Sequence, residues 1–300
     1  MRSSPDALTI VRAGVLHRLI HHEGQPVLVR VAQTAADRVI FGACARTRQS
    51  ALYGIDRMRF ALGIDVDVRS FHRLFCRDAV IGESVRRRPW LRTARQPHPF
   101  TALAWAVCEQ LIEYQRAAAI ERRIVRRLGR RLTMPDRTVL CDAPSAAALA
   151  QVSPALLQSL DLGAQRARAL IACAREVAAG RIDLHGAEHQ RAWGRLRIIP
   201  GIGPWTVQML ALHGQGREDQ VPAGDVGLLR RVGVVLSGGD PRAFATEEQV
   251  LAFFAPYGEW AGLAASHVLS ASGLIRQAQL GRPSQPAAVE QMQPRPKPGD

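Results

Sequence analysis

Two features of the sequence could do chemistry. The first is the run Pro200-Gly201-Ile202-Gly203-Pro204, set between apolar periodic segments within LRIIPGIGPWTVQMLALHG (196–214). Its two glycines leave the turn amides bare, and both can adopt positive φ. Pro204 suits the first position of a new helix, where no backbone donor is needed. The turn amides and the positive end of that helix then face outward together, which makes an anion site. The second feature is Asp225, twenty residues beyond Trp205 in VPAGDVGLLRRVG (221–233). It precedes an apolar periodic segment, the place of an N-cap, where amide hydrogen bonds and the helix dipole favour an ionised carboxylate. In a cleft, that carboxylate can stabilise the cationic sugar that develops as a glycosidic bond breaks. Helix capping explains the same placement, and the two roles are compatible.

The charge balance says which anion to expect. The 300 residues carry 40 Lys+Arg against 26 Asp+Glu, a net charge of +14. Such a surplus suggests a polyanionic partner, nucleic acid ahead of an anionic membrane, so the anion at the turn is expected to be a DNA phosphate. Arginine supplies nearly all of it, because the one lysine in the chain is Lys297. With 47% hydrophobic and 22% charged residues, the composition is that of a globular protein. No apolar run is long enough to span a bilayer, and Arg and His interrupt the N-terminal apolar stretch. No signal peptide or membrane partner is expected, and a monomer located in the cytoplasm at the nucleoid is. Cys44, Cys76, Cys108, Cys141 and Cys173 are widely spread without a C-x-x-C, which fits reduced thiols. His17, His21 and His22, like His185 and His189, lack a convincing third metal ligand.

These residues need elements to position them. Residues 8–45 alternate β-branched and polar types in LTIVRA, VLHRLIHH, PVLVRVAQ and DRVIFGACA, which predicts an antiparallel sheet. The proline-punctuated stretch 85–100 reads as a connector. One helix is expected over 101–129, stopped by Gly129, then further helices over 164–180, 186–199, 204–214, 226–236, 246–254 and 259–279. ERRIVRRLGRR (121–131) is read as a solvated helix face. The fold class is therefore α+β and mainly α. A small sheet domain covers 1–78, a two-lobed helical region 79–280, and a proline-rich tail without packed structure 281–300.

LRIIPGIGPWTVQMLALHG followed by VPAGDVGLL resembles the helix-hairpin-helix, Gly/Pro-rich, aspartate (HhH-GPD) signature of the DNA glycosylase superfamily, nearest its 3-methyladenine DNA glycosylase II (AlkA-like) branch. PFTALAWAVCEQLIEYQRAAAI, LDLGAQRARALIACAREVAAGRIDL and FAPYGEWAGLAASHVL resemble further helices of that family. The resemblance implies Asp225 as the catalytic carboxylate. It implies DNA contacts from Gly201, Gly203, Pro204, Thr206 and Gln110, with Leu111 filling the gap left by a flipped nucleotide. Trp205, Met209, Tyr257 and Trp260 would line the base pocket. The backbone carbonyls of Arg197, Ile199 and Ile202 would hold a structural Na+ or K+, and no cofactor is required. The partner would be double-stranded DNA containing a damaged base.

Two absences choose among the family's chemistries. Strand-cleaving members attack the sugar with a lysine where this chain has Trp205, and Lys297 lies in the tail, so hydrolysis to an abasic site is expected. No cysteine follows Cys173, which argues against an iron–sulfur cluster. The C-terminal helix departs from the alkylation enzymes, with Pro256-Tyr257-Gly258 where they carry Pro-Trp-Arg. A different lesion, oxidised or deaminated, therefore stays open, as does a DNA-binding protein without catalysis.

Overall fold

The computed structural model describes residues 8–270, so the expected tail at 281–300 and Lys297 lie outside the described residues. In chain order the elements are β1 (Thr9–Arg12), β2 (Val15–His22), β3 (Gln25–Ala35), β4 (Arg38–Cys44), α1 (Arg48–Leu62), α2 (Arg69–Phe75), α3 (Gly82–Arg87), α4 (Pro99–Glu109), α5 (Tyr114–Leu128), β5 (Arg130–Thr133) and β6 (Val139–Asp142). There follow α6 (Ala146–Ala150), α7 (Pro154–Ser159), α8 (Ala164–Ala178), α9 (His189–Arg197), α10 (Pro204–Gln215), α11 (Val226–Leu236), α12 (Glu247–Phe254), a 3₁₀ turn (Ala255–Trp260) and α13 (Ala261–Ser270). The fold is mainly helical with a four-stranded N-terminal sheet in the order β1-β2-β3-β4, all antiparallel. The chain forms two compact units, each from two segments: residues 8–66 with Arg92–Pro222, and Asp67–Leu91 with 223–270.

In the first unit the period of two along β2 and β3 decides the packing. Leu16, Ile20, Val27, Val29 and Val31 face α1 and its Met58. A side chain at Gly54 would collide with Val27 and Val29, so that glycine lets α1 lie close on β3. Leu19 and Leu28 point to the other face, against Leu140. That contact belongs to a second hairpin, β5–β6, absent from the sequence reading. Its strands are four residues each, RRLT and VLCD, too short for alternation to show.

The larger core of this unit is helical and surrounds α4, in which every residue from Pro99 to Cys108 is buried. Gly214 of α10 admits it, because a Cβ there would stand 3.0 Å from the Cα of Pro99. The helix expected over 101–129 is two. α4 stops at Glu109 and α5 starts at Tyr114, with Leu111 between them in the left-handed region at φ +56°. The apolar spacing runs on through the break, which hid it. The expected connector at 85–100 likewise begins with residues of α3 and ends in α4.

The second unit packs α11, α12 and α13 together with α2 and α3. Its buried residues include Phe71, Ile81, Leu228, Val232, Phe254 and Leu263. α11 occupies the expected 226–236, and α12 begins with a reciprocal capping box between Thr246 and Gln249.

Candidate nucleic-acid interface and carboxylate

α9 and α10 form the expected helical hairpin in the first unit. The turn between them is tight: the Ile199 amide donates to Leu196 O and the Ile202 amide to Ile199 O, both at 3.0 Å. Ile202 is buried in the helical core, whereas Ile198 is 79% exposed on the outside of the turn. Gly201 sits at φ +89°, and a Cβ on it would lie 3.3 Å from the Cβ of Ala169 on α8. A side chain is therefore excluded twice, by conformation and by contact. Gly203 differs from the expectation of positive φ. It is the N-cap of α10 with φ −95° and ψ 179°, because an N-cap residue requires extended backbone. Nothing lies within 4 Å of where its Cβ would be, so its surface is open.

Pro204 is the exposed first residue of α10, as expected, and the amides of Trp205 and Thr206 follow it in the first turn, where a helix has no internal acceptors for them. The Thr206 side chain is buried, and its hydroxyl accepts a hydrogen bond from Gln110 Nε2 at 2.7 Å. The same nitrogen donates to Gly201 O at 2.8 Å. Both hydrogens of the Gln110 amide are thus committed to the hairpin, and its neighbour Leu111 stands fully exposed. Arg166 of α8, which the sequence reading missed, donates from Nη1 to Cys108 O at 2.7 Å and to Gln110 O at 3.3 Å. No local pattern signals that contact, since it joins residues 58 and 56 positions apart.

Trp205 and Met209 lie one helical turn apart on α10 and are both half-buried. The indole Nε1 of Trp205 is buried without a hydrogen-bond partner. The carbonyls of Arg197, Ile199 and Ile202 belong to the end of α9 and the turn. That of Ile199 accepts one amide and keeps a second lone pair, the kind of oxygen donor that Na+ or K+ takes.

Asp225 lies in the second unit as the N-cap of α11, and its Oδ1 accepts from the Leu228 amide at 3.0 Å. The side chain is half-buried and the next residue, Val226, is 67% exposed, so the carboxylate sits at the surface of its unit rather than in the core. Trp260, also half-buried, tilts against Phe71 with ring centroids 5.8 Å apart. Tyr257 is buried instead, packed on Phe75 and Phe254. Its hydroxyl donates to Asp78 Oδ1 at 3.1 Å, and burial beside that carboxylate pushes the phenol pKa well up. Tyr257 therefore contributes packing within its unit, and its 3₁₀ turn gave no sequence signal of that burial.

The HhH-GPD superfamily of base excision DNA repair proteins matches residues 104–255. Among curated proteins, the probable bifunctional transcriptional activator/DNA repair enzyme AlkA of Mycobacterium tuberculosis is 29% identical over 57% of this chain and 34% of its own length. The DNA-3-methyladenine glycosylase of Bacillus subtilis is 24% identical over 66% of this chain and 65% of its own length. The match thus spans about a third of the first of these relatives and just under two thirds of the second. Among solved structures, the 3-methyladenine DNA-glycosylase from Archaeoglobus fulgidus shares the fold, with a TM-score of 0.77 at 18% identity, covering 89% of each chain. A signature that spans half the chain and embraces both the glycine hairpin and Asp225 settles the relationship: this protein belongs to the HhH-GPD superfamily of base excision DNA repair proteins.

Proposed function

We propose that the protein is a monofunctional DNA glycosylase that flips a damaged base out of the duplex and hydrolyses its glycosidic bond, leaving an abasic site. The observation that carries the reading is the hairpin: a positive-φ Gly201, an open Gly203 and the bare N-terminus of α10 form an outward anion site. A damaged base must leave the stack before its glycosidic bond can be reached. Gly201, Gly203 and the first amides of α10 hold a backbone phosphate, and Leu111 occupies the space that the base vacates. Asp225 stabilises the sugar cation and orients water, using the carboxylate oxygen that its cap bond leaves over. Trp205 and Met209 on α10 are proposed to stack on the flipped base, and Trp260 is the candidate stacking side chain of the second unit, where Tyr257 is packed on Phe75.

Alkylated purines are the proposed substrates. They already carry positive charge and a weakened bond, so a pocket that stacks and a carboxylate suffice. A monovalent cation on the carbonyls of Arg197, Ile199 and Ile202 would add positive charge beside the phosphate. The protein is proposed to act as a monomer at the nucleoid.

Incubation with methylated duplex DNA should release free methylated purine, and Asp225→Asn should lose that release by at least about 100-fold, the scale for removing one such electrostatic group. Borohydride should trap no covalent adduct, because the one lysine is Lys297. Release by Asp225→Asn at the wild-type rate would sink the assignment. Salt-sensitive duplex binding without release from any lesion would favour the non-catalytic alternative, for which the burial of Tyr257 is the supporting observation.

A further inference from the structure

We propose that Arg166 is a positioning residue that sets the Leu111 loop for insertion into DNA. The inference rests on the reading of Leu111 as the group that fills the vacated space, and extends it to a residue without an assigned role.

Leu111 has no means of fixing its own conformation. Its side chain is fully exposed, so no packing holds it, yet its backbone occupies the left-handed region that a leucine avoids. The conformation is therefore imposed by its neighbours. After it, Ile112 packs on the helical core and its amide donates to Glu109 O. Before it, two contacts tie the chain down. The Gln110 side chain is tied to Gly201 O and Thr206 Oγ1 of the hairpin. The Gln110 and Cys108 carbonyls are gathered by one nitrogen of Arg166. Cys108 O lies among the last carbonyls of α4, which have no acceptor role left inside the helix, and a guanidinium there also opposes the negative end of the helix dipole.

Arg166 is itself well placed to stay put. It is half-buried on α8, and the N-cap Gly163 of that helix runs alongside it, with a Cβ position 3.6 Å from Nη2. α8 is also the helix whose Ala169 abuts Gly201. One helix therefore braces both the phosphate-binding turn and the residue that enters the duplex. Arg166 sits on the main-chain side of this brace and Gln110 on the side-chain side, so phosphate grip and insertion are set in register. A residue acting this way touches no DNA, and its loss is read in insertion rather than in binding.

The test uses the full-length protein and a duplex with 2-aminopurine beside a tetrahydrofuran abasic analogue, where insertion changes the 2-aminopurine fluorescence without any chemical step. Arg166→Met should weaken insertion roughly tenfold, the scale of one charge-assisted hydrogen bond, with affinity for undamaged duplex unchanged. Arg166→Lys, which keeps the charge and a donor, should recover part of the loss. If Arg166→Met does not fold, Arg166→Gln provides the same comparison. A wild-type fluorescence change in Arg166→Met overturns the proposal, as does an equal loss of undamaged-duplex binding, which would mark a merely structural role. Leu111→Ala should abolish the signal. Its persistence there would overturn the underlying reading of Leu111 as well, whereas a signal lost in Leu111→Ala and intact in Arg166→Met refutes Arg166 alone.

Discussion

Arg95 and Glu218 pair at 2.7 Å with only 8% and 13% of their side chains exposed. Thr93 donates to the other Glu218 oxygen at 2.8 Å, and the Arg95 guanidinium lies over the Phe60 ring. The Gln96 amide donates to His213 O nearby, so the segment leading into α4 is fastened to the far end of the hairpin's second helix. Glu218→Ala removes the acceptor of a buried charge. It should cost about 3 kcal/mol of unfolding free energy in urea, because the arginine is left desolvated and unpaired.

The hairpin glycines should separate stability from binding. Gly201→Ala meets Ala169 and holds an alanine at φ +89°, so it should destabilise the fold by about 1–2 kcal/mol and weaken duplex affinity. Gly203→Ala has ordinary backbone angles and open space around its Cβ. Its thermal midpoint should match the wild type while duplex affinity falls, since the methyl group would stand in the path of the proposed phosphate contact. Calorimetry and a binding titration on the two variants check the contrast.

Leu111→Gly should trade function for stability. The substitution relieves the left-handed backbone at no loss of packing, because the side chain it removes is fully exposed. A gain of about 1 kcal/mol in urea unfolding is expected, together with slower base release from methylated duplex.

Stability should fall on mild acidification. Burial holds the His267 pKa at about 4, with the charges of His72 and Arg88 adding to the effect, against an ordinary 6.5. His98 is held at about 4 by burial as well. Below pH 6.5 the unfolded chain binds protons that these folded imidazoles refuse, so stability is complete above pH 6.5 and is lost as pH falls toward 4. Each should contribute a loss on the order of 2 kcal/mol. The urea midpoint should drop from pH 7 to pH 4.5, and less steeply in His267→Gln, where one of the two groups is gone.

Local signals carried the hairpin and α11 into the sequence because each is punctuated by its own residues: Gly and Pro around 200–204, and Asp225 as a cap. The four-stranded sheet was legible for the same reason, through alternation and turn residues. What escaped depends on partners far away in the chain. The break at 110–113 lies inside continuous apolar spacing, and it is held by bonds from Gln110 to Gly201 and Thr206 and from Arg166 to Cys108 and Gln110, all far away in the chain. The burial of Tyr257 depends on Asp78, 179 residues earlier, and the β5–β6 hairpin on the face of β2 and β3 that it covers.

The buried helix α4 ends at Glu109, and the next residue, Gln110, is tied by its side chain to Gly201 O and Thr206 Oγ1. In the proposed complex, a duplex pressing on the exposed Leu111 would meet a residue that closely follows a helix seated in the interior of its unit. In that proposed encounter the compliance would come from the nucleic acid, and weakened base pairs, which bend and unstack at least cost, would yield first.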